Sequence, residues 1–343
     1  MNWIKNLLTV MTAIILTLLF IEILFRVFDI GYGNAPLERS KFYHHAHPKN
    51  YSFMMHQPKG EYGGHKIFYD EKGYRVSNSN DSSFLYKDNK NSIVFIGDSY
   101  TEANQVPYED TFVKKVSNYF NINELNLGVS SYSPLIYLLQ TKREIINLES
   151  NLVVLQIFRN DFSDDAKYLK KAIYKKEQLI RIDGGNRNNF ISLMRKSYLL
   201  RFFRKSQLLI KELLKKDISN IKKESLIFYN DSVSDEYLKK TSDLINEIKI
   251  QLNKANKKLF VFMIPSKGLS QIQECCEKDT VYKRLKHEME KRDIIFLDIS
   301  EYFSRYPKQI DLFFPIDIHL TTMGHDVLSK GLTQELQRFI LIK

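Results

Sequence analysis

Short apolar runs alternate with longer amphipathic stretches from residue 92 onward, and this alternation limits the fold more than any other feature of the chain. The runs are too short to be helices and are typical of buried strands. Strands that alternate with helices form a parallel sheet with helices on both faces. The pattern therefore predicts an α/β domain. Its predicted strands are residues 93–96, 125–127, 152–158, 259–264 and 294–299, and its predicted helices are residues 108–120, 134–148, 234–255, 280–292 and 324–340.

A stretch of 20 residues near the N-terminus, residues 6–25, contains only one charged residue, Glu22. At about 1.5 Å per residue, a helix of this length spans the roughly 30 Å hydrocarbon core of a bilayer. Glu22 lies four residues before Arg26, so the two side chains can pair near the membrane surface. The stretch predicts a single membrane anchor. A cleaved signal peptide is the alternative, although residues 27–36 contain no clear small-residue cleavage site.

The charges that flank this helix do not fix its orientation, because Lys5 on one side is matched by Arg26, Arg39 and Lys41 on the other. An anchor with almost no chain before it usually delivers the rest of the chain to the outside of the membrane. We therefore expect a single-pass protein of the cytoplasmic membrane, with its main domain periplasmic or extracellular. The expected parts are an anchor over residues 1–30, a stalk with a small β-hairpin over residues 31–91 and the α/β domain over residues 92–343.

The chain carries 51 basic and 40 acidic residues, and its net charge of +11 favours anionic partners. Residues 167–223 contain 17 Lys or Arg and four acidic residues, so this basic insertion alone has a larger positive excess than the whole chain. The insertion predicts a solvated helical segment or contact with anionic lipid headgroups. Export makes nucleic acid an unfavoured partner. Cys275 and Cys276 are adjacent, which suits neither an ordinary disulfide nor a zinc site.

Ser99 follows the first predicted strand, so its hydroxyl is expected at the carboxyl end of the sheet, where open α/β folds build their sites. A serine hydroxyl is a weak nucleophile unless a base lies within hydrogen-bond distance and a third group orients that base. His319 and Asp317, just before the last predicted helix, have the chemistry for these two roles. The sequence therefore predicts a Ser-His-Asp triad.

Two further loops follow predicted strand ends. Gly128 allows a backbone N–H to approach closely, and Asn160 carries a side-chain amide. With the backbone N–H of Ser99, they predict three donors for an oxyanion, the negatively charged oxygen that forms during acyl transfer. Beside them, Arg159 is a candidate contact for an anionic substrate or for a neighbouring carboxylate.

Several alternatives remain open from the sequence. His325 is a second candidate base, and Asp311 is a second candidate for the acid. Ser99 and Asn160 are also residue types that cap helices, and Gly128 is of a type common in turns. As cap or turn residues, Ser99, Asn160 and Gly128 would stabilise the fold and take no part in catalysis.

Four short motifs occur in a fixed order along the chain: Gly97-Asp98-Ser99, Gly128, Asn160-Asp161, and Asp317 with His319. In this order, and at the ends of successive predicted strands, they resemble those of the SGNH, or GDSL-type, hydrolase family over residues 92–340. The resemblance implies a flavodoxin-like three-layer α/β/α sandwich and metal-free ester hydrolysis or acyl transfer. It assigns Ser99 as nucleophile and first oxyanion donor, Gly128 and Asn160 as the other donors, and Asp317 and His319 as the rest of the triad.

The chain departs from the family pattern at three positions. Tyr100 replaces the usual Leu after the serine, and Phe158 replaces the usual Gly before the x-Asn-Asp motif, so both residues affect the acyl pocket. Asp317 lies two residues before the histidine instead of three. That spacing resembles family variants that are associated with O-acetylation of exported polysaccharides.

The resemblance implies a membrane-tethered serine esterase or O-acyltransferase that acts on an acylated cell-surface glycan or a lipid-linked saccharide. Tyr100 and Arg159 are its candidate substrate contacts, and no cofactor is expected. The group formed by His44, His45 and His47 resembles a metal site, but consecutive histidines of this kind are more often exposed, so no metal is expected either. The alternative function is a non-catalytic module of the same fold that binds an anionic polymer or a partner protein at the membrane.

Overall fold

The structure, a computed structural model, describes residues 2–30, 35–56, 59–79, 91–185, 197–203, 206–207, 233–267, 280–315 and 317–340. Cys275 and Cys276 lie outside the described residues, as does most of the basic insertion beyond residue 185.

The chain begins with helix α1 (Asn2–Val27). Its stretch Trp3–Val27 reaches a mean hydropathy of 2.5, and the apolar window within it is not buried against the rest of the chain. Within the described residues, α1 is the single helix that is long and apolar enough to cross a membrane. Length and composition of this kind fit either a membrane anchor or a signal sequence.

Two small antiparallel sheets follow α1. Strand β1 (Glu38–Arg39) pairs with β2 (His45–Ala46), and β3 (Tyr51–Met55), β4 (His65–Tyr69) and β5 (Arg75–Val76) form a three-stranded sheet. Strands β4 and β5 lie where the sequence predicts a hairpin, and β3 adds a third strand. Their register places Arg75 opposite Tyr69, so both side chains reach the adjoining α/β domain.

A five-stranded parallel sheet forms the centre of the α/β domain, which confirms the predicted fold class. In this sheet, the strand Ser92–Ile96 pairs with the next strand along the chain, Asn123–Asn126, on one side, and with the strand after that, Leu152–Ile157, on the other. This reversal creates a crevice at the carboxyl ends of the strands, the usual location of ligand sites in open α/β sheets. The strands are β6 (Ser92–Ile96), β7 (Asn123–Asn126), β8 (Leu152–Ile157), β11 (Lys258–Met263) and β12 (Ile295–Phe296), and their order across the sheet is β12-β11-β8-β6-β7.

Side chains alternate between the two faces of this sheet, as strand geometry requires. Val94 and Ile96 of β6 pack into one apolar core, whereas Ile93 and Phe95 pack into the other. Helices therefore cover both faces, which gives the three-layer sandwich. The helices of the domain are α2 (Ser99–Glu102), α3 (Phe112–Phe120), α4 (Pro134–Arg143), α5 (Asp161–Leu169), α6 (Asp235–Lys254), α7 (Thr280–Lys291), α8 (Ser300–Ser304) and α9 (Thr322–Ile340).

Element boundaries differ from the predicted ones at two places that affect the site. Strand β12 has only two residues, because Asp298 accepts a hydrogen bond from the backbone N–H of Ser300 and turns the chain into α8. Helix α9 begins at Thr322, so His325 lies within its first turn.

The basic insertion is not simply helical in its described part. After α5, strands β9 (Ala172–Lys175) and β10 (Gln178–Ile182) form an antiparallel hairpin. Residues 198–203 then form a short helical segment. The helical expectation is therefore wrong for residues 172–182, where β10 buries Leu179 and Ile182 and its register shifts between Leu179 and Arg181.

Candidate active site

Ser99 is the first residue of α2, which begins directly beyond the carboxyl end of β6. Asp98 caps this helix, because its side chain accepts a hydrogen bond of 2.9 Å from the backbone N–H of Tyr100. The N–H of Asp98 in turn donates to Oε1 of Gln156 on β8 at 3.1 Å. Burial raises the pKa of Asp98 to about 6. These bonds fix the turn that presents the Ser99 hydroxyl.

The structure brings together three predicted residues that lie far apart in the sequence. Nε2 of His319 lies 2.7 Å from Oγ of Ser99, and Nδ1 of His319 is hydrogen-bonded to Oδ1 of Asp317. The backbone N–H of His319 donates to the same carboxylate oxygen at 2.8 Å. A carboxylate at Nδ1 favours the tautomer with its proton there, which leaves the lone pair of Nε2 directed at the hydroxyl.

The environment of Asp317 keeps its carboxylate charged. Burial opposes ionisation, but the hydrogen bonds and charge of His319, together with the Tyr62 hydroxyl, outweigh burial and lower the pKa of Asp317. Tyr62 donates to Oδ2 of Asp317 at 3.2 Å, and the backbone N–H of Asp317 donates to Oε1 of Glu61 at 2.8 Å. Two residues of the region before the α/β domain thus contact the acid.

Lys267 fixes the loop that carries Asp317. Its ammonium group donates to the backbone carbonyls of Pro315 at 2.7 Å and of Asp317 at 3.0 Å, and it also bonds the carbonyl of Phe314. Sequence reasoning missed Lys267, Glu61 and Tyr62. No motif marks them, and each lies at least 50 residues away from Asp317.

Tyr100, a predicted substrate contact, is buried beneath the imidazole. Its ring centroid lies 4.8 Å from that of His319 and 4.4 Å from that of Phe158. The Tyr100 hydroxyl donates to the backbone carbonyl of Ile318 at 2.7 Å. With 1% of its surface exposed, Tyr100 supports the position of His319 instead of offering a surface to substrate. Phe158 fills the space beside it.

Two of the three predicted oxyanion donors, those of Gly128 and Asn160, are engaged in hydrogen bonds within the protein. The N–H of Gly128 donates to Oδ1 of Asn126 at 3.0 Å, and Nδ2 of Asn160 donates to Oδ2 of Asp164 at 2.9 Å. Gly128 packs so closely on α2 that a Cβ atom there would lie 2.5 Å from the backbone nitrogen of Glu102. Only glycine fits at this contact between the loop and α2.

Buried carboxyl groups lie around the loop after β8, in which the sequence singles out Phe158, Arg159, Asn160 and Asp161. Asp161 accepts a hydrogen bond of 3.0 Å from the N–H of Phe158, and burial together with the negative charge of Asp98 raises its pKa well above the usual value. Arg159 is half-buried, and its guanidinium lies 3.4 Å from Oγ of Ser266. Arg159 therefore contacts the loop that follows β11 as well as solvent.

The alternative base and acid have other roles. His325 is 2% exposed, and its Nδ1 accepts a hydrogen bond of 3.2 Å from the backbone N–H of Phe112, so it caps α3. Burial, followed by the charges of Lys115 and Arg75, lowers its pKa to about 3. The backbone carbonyl of Asp311 accepts a hydrogen bond from the Thr321 hydroxyl at 2.7 Å.

The histidine group does not match the expectation of solvent exposure. His45 and His47 are 2% and 3% exposed. Nε2 of His45 bonds the carbonyl of Ser130 at 2.8 Å, and Nε2 of His47 lies 2.7 Å from Oε1 of Glu102. In the described part of the chain, no three His, Cys, Asp or Glu side chains are grouped as metal ligands.

Glu102, the last residue of α2, is a buried centre of hydrogen bonds. Its Oε1 lies 2.7 Å from His47 and accepts from the Tyr69 hydroxyl at 2.7 Å and from the Asn104 amide. Its Oε2 accepts from the N–H of Ser130 at 2.7 Å. Burial opposes ionisation, but the interaction with His47 and the other donors lowers the pKa of Glu102 to about 2. Sequence reasoning missed this group.

Arg75 binds the C-terminal end of the same short helix. Its guanidinium donates to the backbone carbonyls of Glu102 at 2.9 Å and Val106 at 2.7 Å, and also to that of Ala103. Helix C-termini expose carbonyls that lack partners in the helix, so a cation is favourable there. Arg75 is 1% exposed, and it connects β5 to the turn that starts with Ser99.

The last third of the chain matches a known protein family. Residues 223–341 match the family described as SGNH hydrolase-like domain, acetyltransferase AlgX. The matched stretch contains Asp317 and His319, whereas Ser99, Gly128 and Asn160 precede it. No curated protein matches the chain.

Similar solved structures include three described as GDSL-type or acetylxylan esterase proteins. A putative lipolytic protein of the G-D-S-L family from Desulfitobacterium hafniense DCB-2 is 10% identical, with a TM-score of 0.41 over 72% of this chain and 99% of that one. Axe2, an acetylxylan esterase from Geobacillus stearothermophilus, is 14% identical, with a TM-score of 0.42 over 72% and 94%. A GDSL-like lipase from Bacteroides thetaiotaomicron VPI-5482 is 12% identical, with a TM-score of 0.39 over 73% and 89%.

The family match agrees with the sequence motifs on the last third of the chain. Asp317 and His319, which the motifs assign to the triad, lie inside the matched stretch. The match therefore confirms the predicted resemblance and shows that the chain is similar to a family described as an SGNH hydrolase-like domain of an acetyltransferase.

Proposed function

We propose that this chain is a membrane-tethered enzyme that removes or transfers an acyl group on a cell-surface glycan or a lipid-linked saccharide, with Ser99 as its nucleophile. The observation that carries the proposal is the 2.7 Å contact between Nε2 of His319 and Oγ of Ser99, with Asp317 on the other ring nitrogen. A base held in this way makes a serine hydroxyl reactive. The match to an SGNH hydrolase-like acetyltransferase domain supports the same class of reaction.

The first half of the reaction forms an acyl-enzyme. Oγ of Ser99 attacks the ester carbonyl carbon while Nε2 of His319 takes the hydroxyl proton, and a tetrahedral oxyanion forms. The bond from that carbon to the leaving alcohol then breaks, and His319 returns the proton to the alcohol oxygen. Asp317 stays ionised throughout, consistent with its lowered pKa, and stabilises the imidazolium that forms on His319.

The second half releases the acyl group. A hydroxyl group, from water or from a sugar, gives its proton to Nε2 of His319 and attacks the acyl carbon, which forms a second tetrahedral oxyanion. The bond from that carbon to Oγ of Ser99 then breaks, and His319 returns the proton to Oγ. Water as the acceptor makes the enzyme an esterase, whereas a sugar hydroxyl makes it an O-acyltransferase. The two activities use the same three residues and differ only in the acceptor.

We assign the oxyanion to three donors, the backbone N–H groups of Ser99 and Gly128 and the side-chain amide of Asn160. Without substrate, Gly128 donates to Asn126 and Asn160 donates to Asp164. Catalytic hydrogen bonds often tighten only when substrate binds. The proposal therefore includes a change of partner, in which the oxyanion replaces Asn126 and Asp164 as the acceptor.

The space beside the nucleophile favours a short acyl group. Tyr100 and Phe158 are both buried there, with 1% and 4% of their surfaces exposed, where the family pattern has smaller residues. Two aromatic rings in these positions leave less room for an alkyl chain. An acetyl group is the substrate that we expect, with Arg159 as the nearby cation for an anionic sugar. The proposed reaction needs no cofactor.

The proposed site is exported and held at the membrane by α1, with the anionic headgroups of lipids next to the basic insertion. This placement is supported by the apolar length of α1 and by the exposed surface of its apolar window. A glycan that is exported or carried on a lipid passes close to such a tethered domain.

Turnover of p-nitrophenyl acetate by the full-length chain in detergent micelles tests the proposal. We expect the wild type to release p-nitrophenol, and Ser99→Ala and His319→Ala to lower kcat by a factor on the order of 10⁴. A serine-directed phosphonate followed by peptide mass spectrometry should label Ser99 and no other serine.

Two exposed or half-buried residues give matched controls. Ser304→Ala and His287→Ala make the same chemical changes outside the proposed triad and should keep wild-type kcat. Turnover that survives both Ser99→Ala and His319→Ala would remove the triad assignment. Absence of turnover on every acyl ester tested, with the phosphonate unreactive, would favour a non-catalytic binding module.

A further inference from the structure

The end of α1 is joined to residues 197–203 by a partly buried set of hydrogen bonds. The Glu22 carboxylate accepts hydrogen bonds from the Ser197 hydroxyl at 2.8 Å and from the backbone N–H groups of Tyr198 at 3.1 Å and Leu199 at 2.9 Å. Arg26 pairs with the same carboxylate from one turn further along α1, at 2.8 Å. Glu22 thus binds the first N–H groups of the helical segment 198–203, which have no partner within that segment.

Aromatic contacts extend this junction on two sides. The rings of Phe25 and Phe202 pack edge to face with centroids 5.2 Å apart, and the Arg26 guanidinium lies 5.0 Å from the centroid of Tyr198. On the other side, the Arg201 guanidinium lies 5.6 Å from the centroid of Phe53 on β3. The segment is therefore held between α1 and the three-stranded sheet.

Two large apolar side chains of this segment are nevertheless exposed. Leu200 and Phe203 expose 39% and 53% of their surfaces. They lie three residues apart on a helical segment and therefore share one face. At the end of α1, which contacts the same segment through Phe25, Val27 and Phe28 are 69% and 63% exposed. Exposed apolar residues continuous with an apolar helix mark a surface that is expected to be covered.

The depth of Glu22 indicates what covers this surface. The charge-free stretch of α1 between Lys5 and Glu22, residues 6–21, extends for about 24 Å at 1.5 Å per residue, so in a core of roughly 30 Å these two charged side chains lie near its opposite edges. A carboxylate inside that core is costly, whereas at its edge it is tolerated when partners are close by. This register places Glu22, its three donors from residues 197–199 and the exposed side chains of Leu200 and Phe203 at the membrane surface.

We propose that residues 197–203 form a second membrane-contacting element, which inserts Leu200 and Phe203 into the interface of the phospholipid bilayer and is seated there by Glu22. The inference rests on the membrane tethering in the proposed function. It adds a second attachment point, so the α/β domain is held in a fixed orientation and does not rotate freely about α1. The Arg26 and Arg201 side chains lie at the same level as the headgroups.

Tryptophan fluorescence in vesicles tests this element, because Trp3 is the single tryptophan of the chain. The full-length chain with Trp3→Phe and Phe203→Trp is reconstituted into phosphatidylcholine vesicles whose acyl chains carry bromine either near the headgroup or near the chain end. We expect bromine near the headgroup to quench the new fluorophore at least twofold more than bromine near the chain end. The quenching should persist at high salt, because apolar insertion does not depend on charge.

The wild-type chain and two further variants make the result specific. Trp3 in the wild type reports α1 itself and should be quenched. Tyr119→Trp in the Trp3→Phe background places the fluorophore on α3, where the replaced side chain is 57% exposed, and should not be quenched. Adding Glu22→Gln to Phe203→Trp should reduce quenching, because the amide removes one of the acceptors that hold residues 197–199.

The possible outcomes distinguish membrane contact by residues 197–203 from anchoring by α1 and from enzyme activity. Quenching of Trp3 without quenching of the Phe203→Trp fluorophore would overturn the inference and leave the tether intact. Quenching that appears only with anionic lipid and disappears at high salt would overturn apolar insertion in favour of electrostatic contact. No quenching at either position would overturn both. Release of p-nitrophenol by the same vesicles reports the proposed activity independently.

Discussion

The buried carboxylate of Glu102 accepts a hydrogen bond of 2.7 Å from the backbone N–H of Ser130. Glu102 ends the helix that begins with Ser99, and Ser130 lies two residues after Gly128. One side chain therefore joins the turn of the proposed nucleophile to the loop of a proposed oxyanion donor. Through His47 and Tyr69, the same carboxylate also binds the region that precedes the α/β domain.

Replacing Glu102 should change how stability depends on pH. The pKa of Glu102 is lowered from 4.5 to about 2, so its ionisation stabilises the folded protein above pH 4.5, and this contribution is lost as the pH falls toward 2. A shift of this size corresponds to at most about 3 kcal/mol. Glu102→Gln should lower the free energy of unfolding at pH 6 and reduce its decline between pH 5 and pH 3, as measured by urea unfolding in micelles.

The exposed Glu236, which pairs with Lys240 one turn away, provides the matched control for that experiment. Glu236→Gln should leave the acid side of the stability profile unchanged. An equal decline for wild type and Glu102→Gln between pH 5 and pH 3 would contradict the role of this carboxylate.

Arg75 should be required for both stability and turnover. Arg75→Met removes the donors to the carbonyls of Glu102, Ala103 and Val106 and leaves them buried without that partner. We expect a loss of about 3 kcal/mol in the free energy of unfolding. Where the variant is folded, kcat should fall more than KM changes, because α2 positions Ser99. Arg305→Met, at an exposed surface ion pair, should change neither quantity.

The side-chain amide of Asn160 should contribute to turnover by donating a hydrogen bond to the oxyanion, and its present hydrogen bond to Asp164 should matter little. Asn160→Ala should lower kcat by about 10²- to 10³-fold, the usual effect of removing one donor. Asp164→Ala removes the present acceptor of that amide and should leave kcat within a few-fold of wild type. Equal losses in the two variants would indicate that the Asn160–Asp164 bond matters only for the loop structure.

Substitutions of Asp317 and of its hydrogen-bond partner Tyr62 should lower kcat by very different factors. Asp317→Asn replaces the acceptor at Nδ1 of His319 and favours the wrong tautomer, so kcat should fall by a factor on the order of 10⁴. Tyr62→Phe removes one of several hydrogen bonds to that carboxylate and should lower kcat only a few-fold. Steady-state kinetics with p-nitrophenyl acetate measures both, and a small effect of Asp317→Asn would contradict its role as orienter.

Residues with local patterns were predictable from the sequence. Alternating apolar runs indicated the strands because buried parallel strands need continuous apolar side chains, and they predicted β6, β8 and β11 within one residue at each end. Ser99 was a candidate because it follows a strand end, and Asp317 and His319 were candidates because suitable residue types precede the last helix in the order of the family motifs. The same reasoning failed for residues 172–182, where charge composition hid the pattern of a hairpin.

Other parts of the site have no local pattern. Arg75, Glu102 and Lys267 are ordinary surface residue types in the sequence, and only folding buries them against backbone carbonyls or a partner histidine. Tyr100 follows the nucleophile in a position that suggests substrate contact, yet packing places its ring under His319.

The amino-acid sequence by itself determined the five strands of the parallel sheet and their alternation with helices, the apolar N-terminal helix and the three residues of the proposed triad. These follow from side-chain chemistry and spacing along the chain. Only the tertiary structure decided that a serine and a histidine 220 residues apart lie 2.7 Å from each other. It also decided that the region before the α/β domain supplies Tyr62 to Asp317, and His47 and Arg75 to the end of the helix that begins with Ser99. Such contacts depend on the packing of distant segments, which spacing along one chain does not encode.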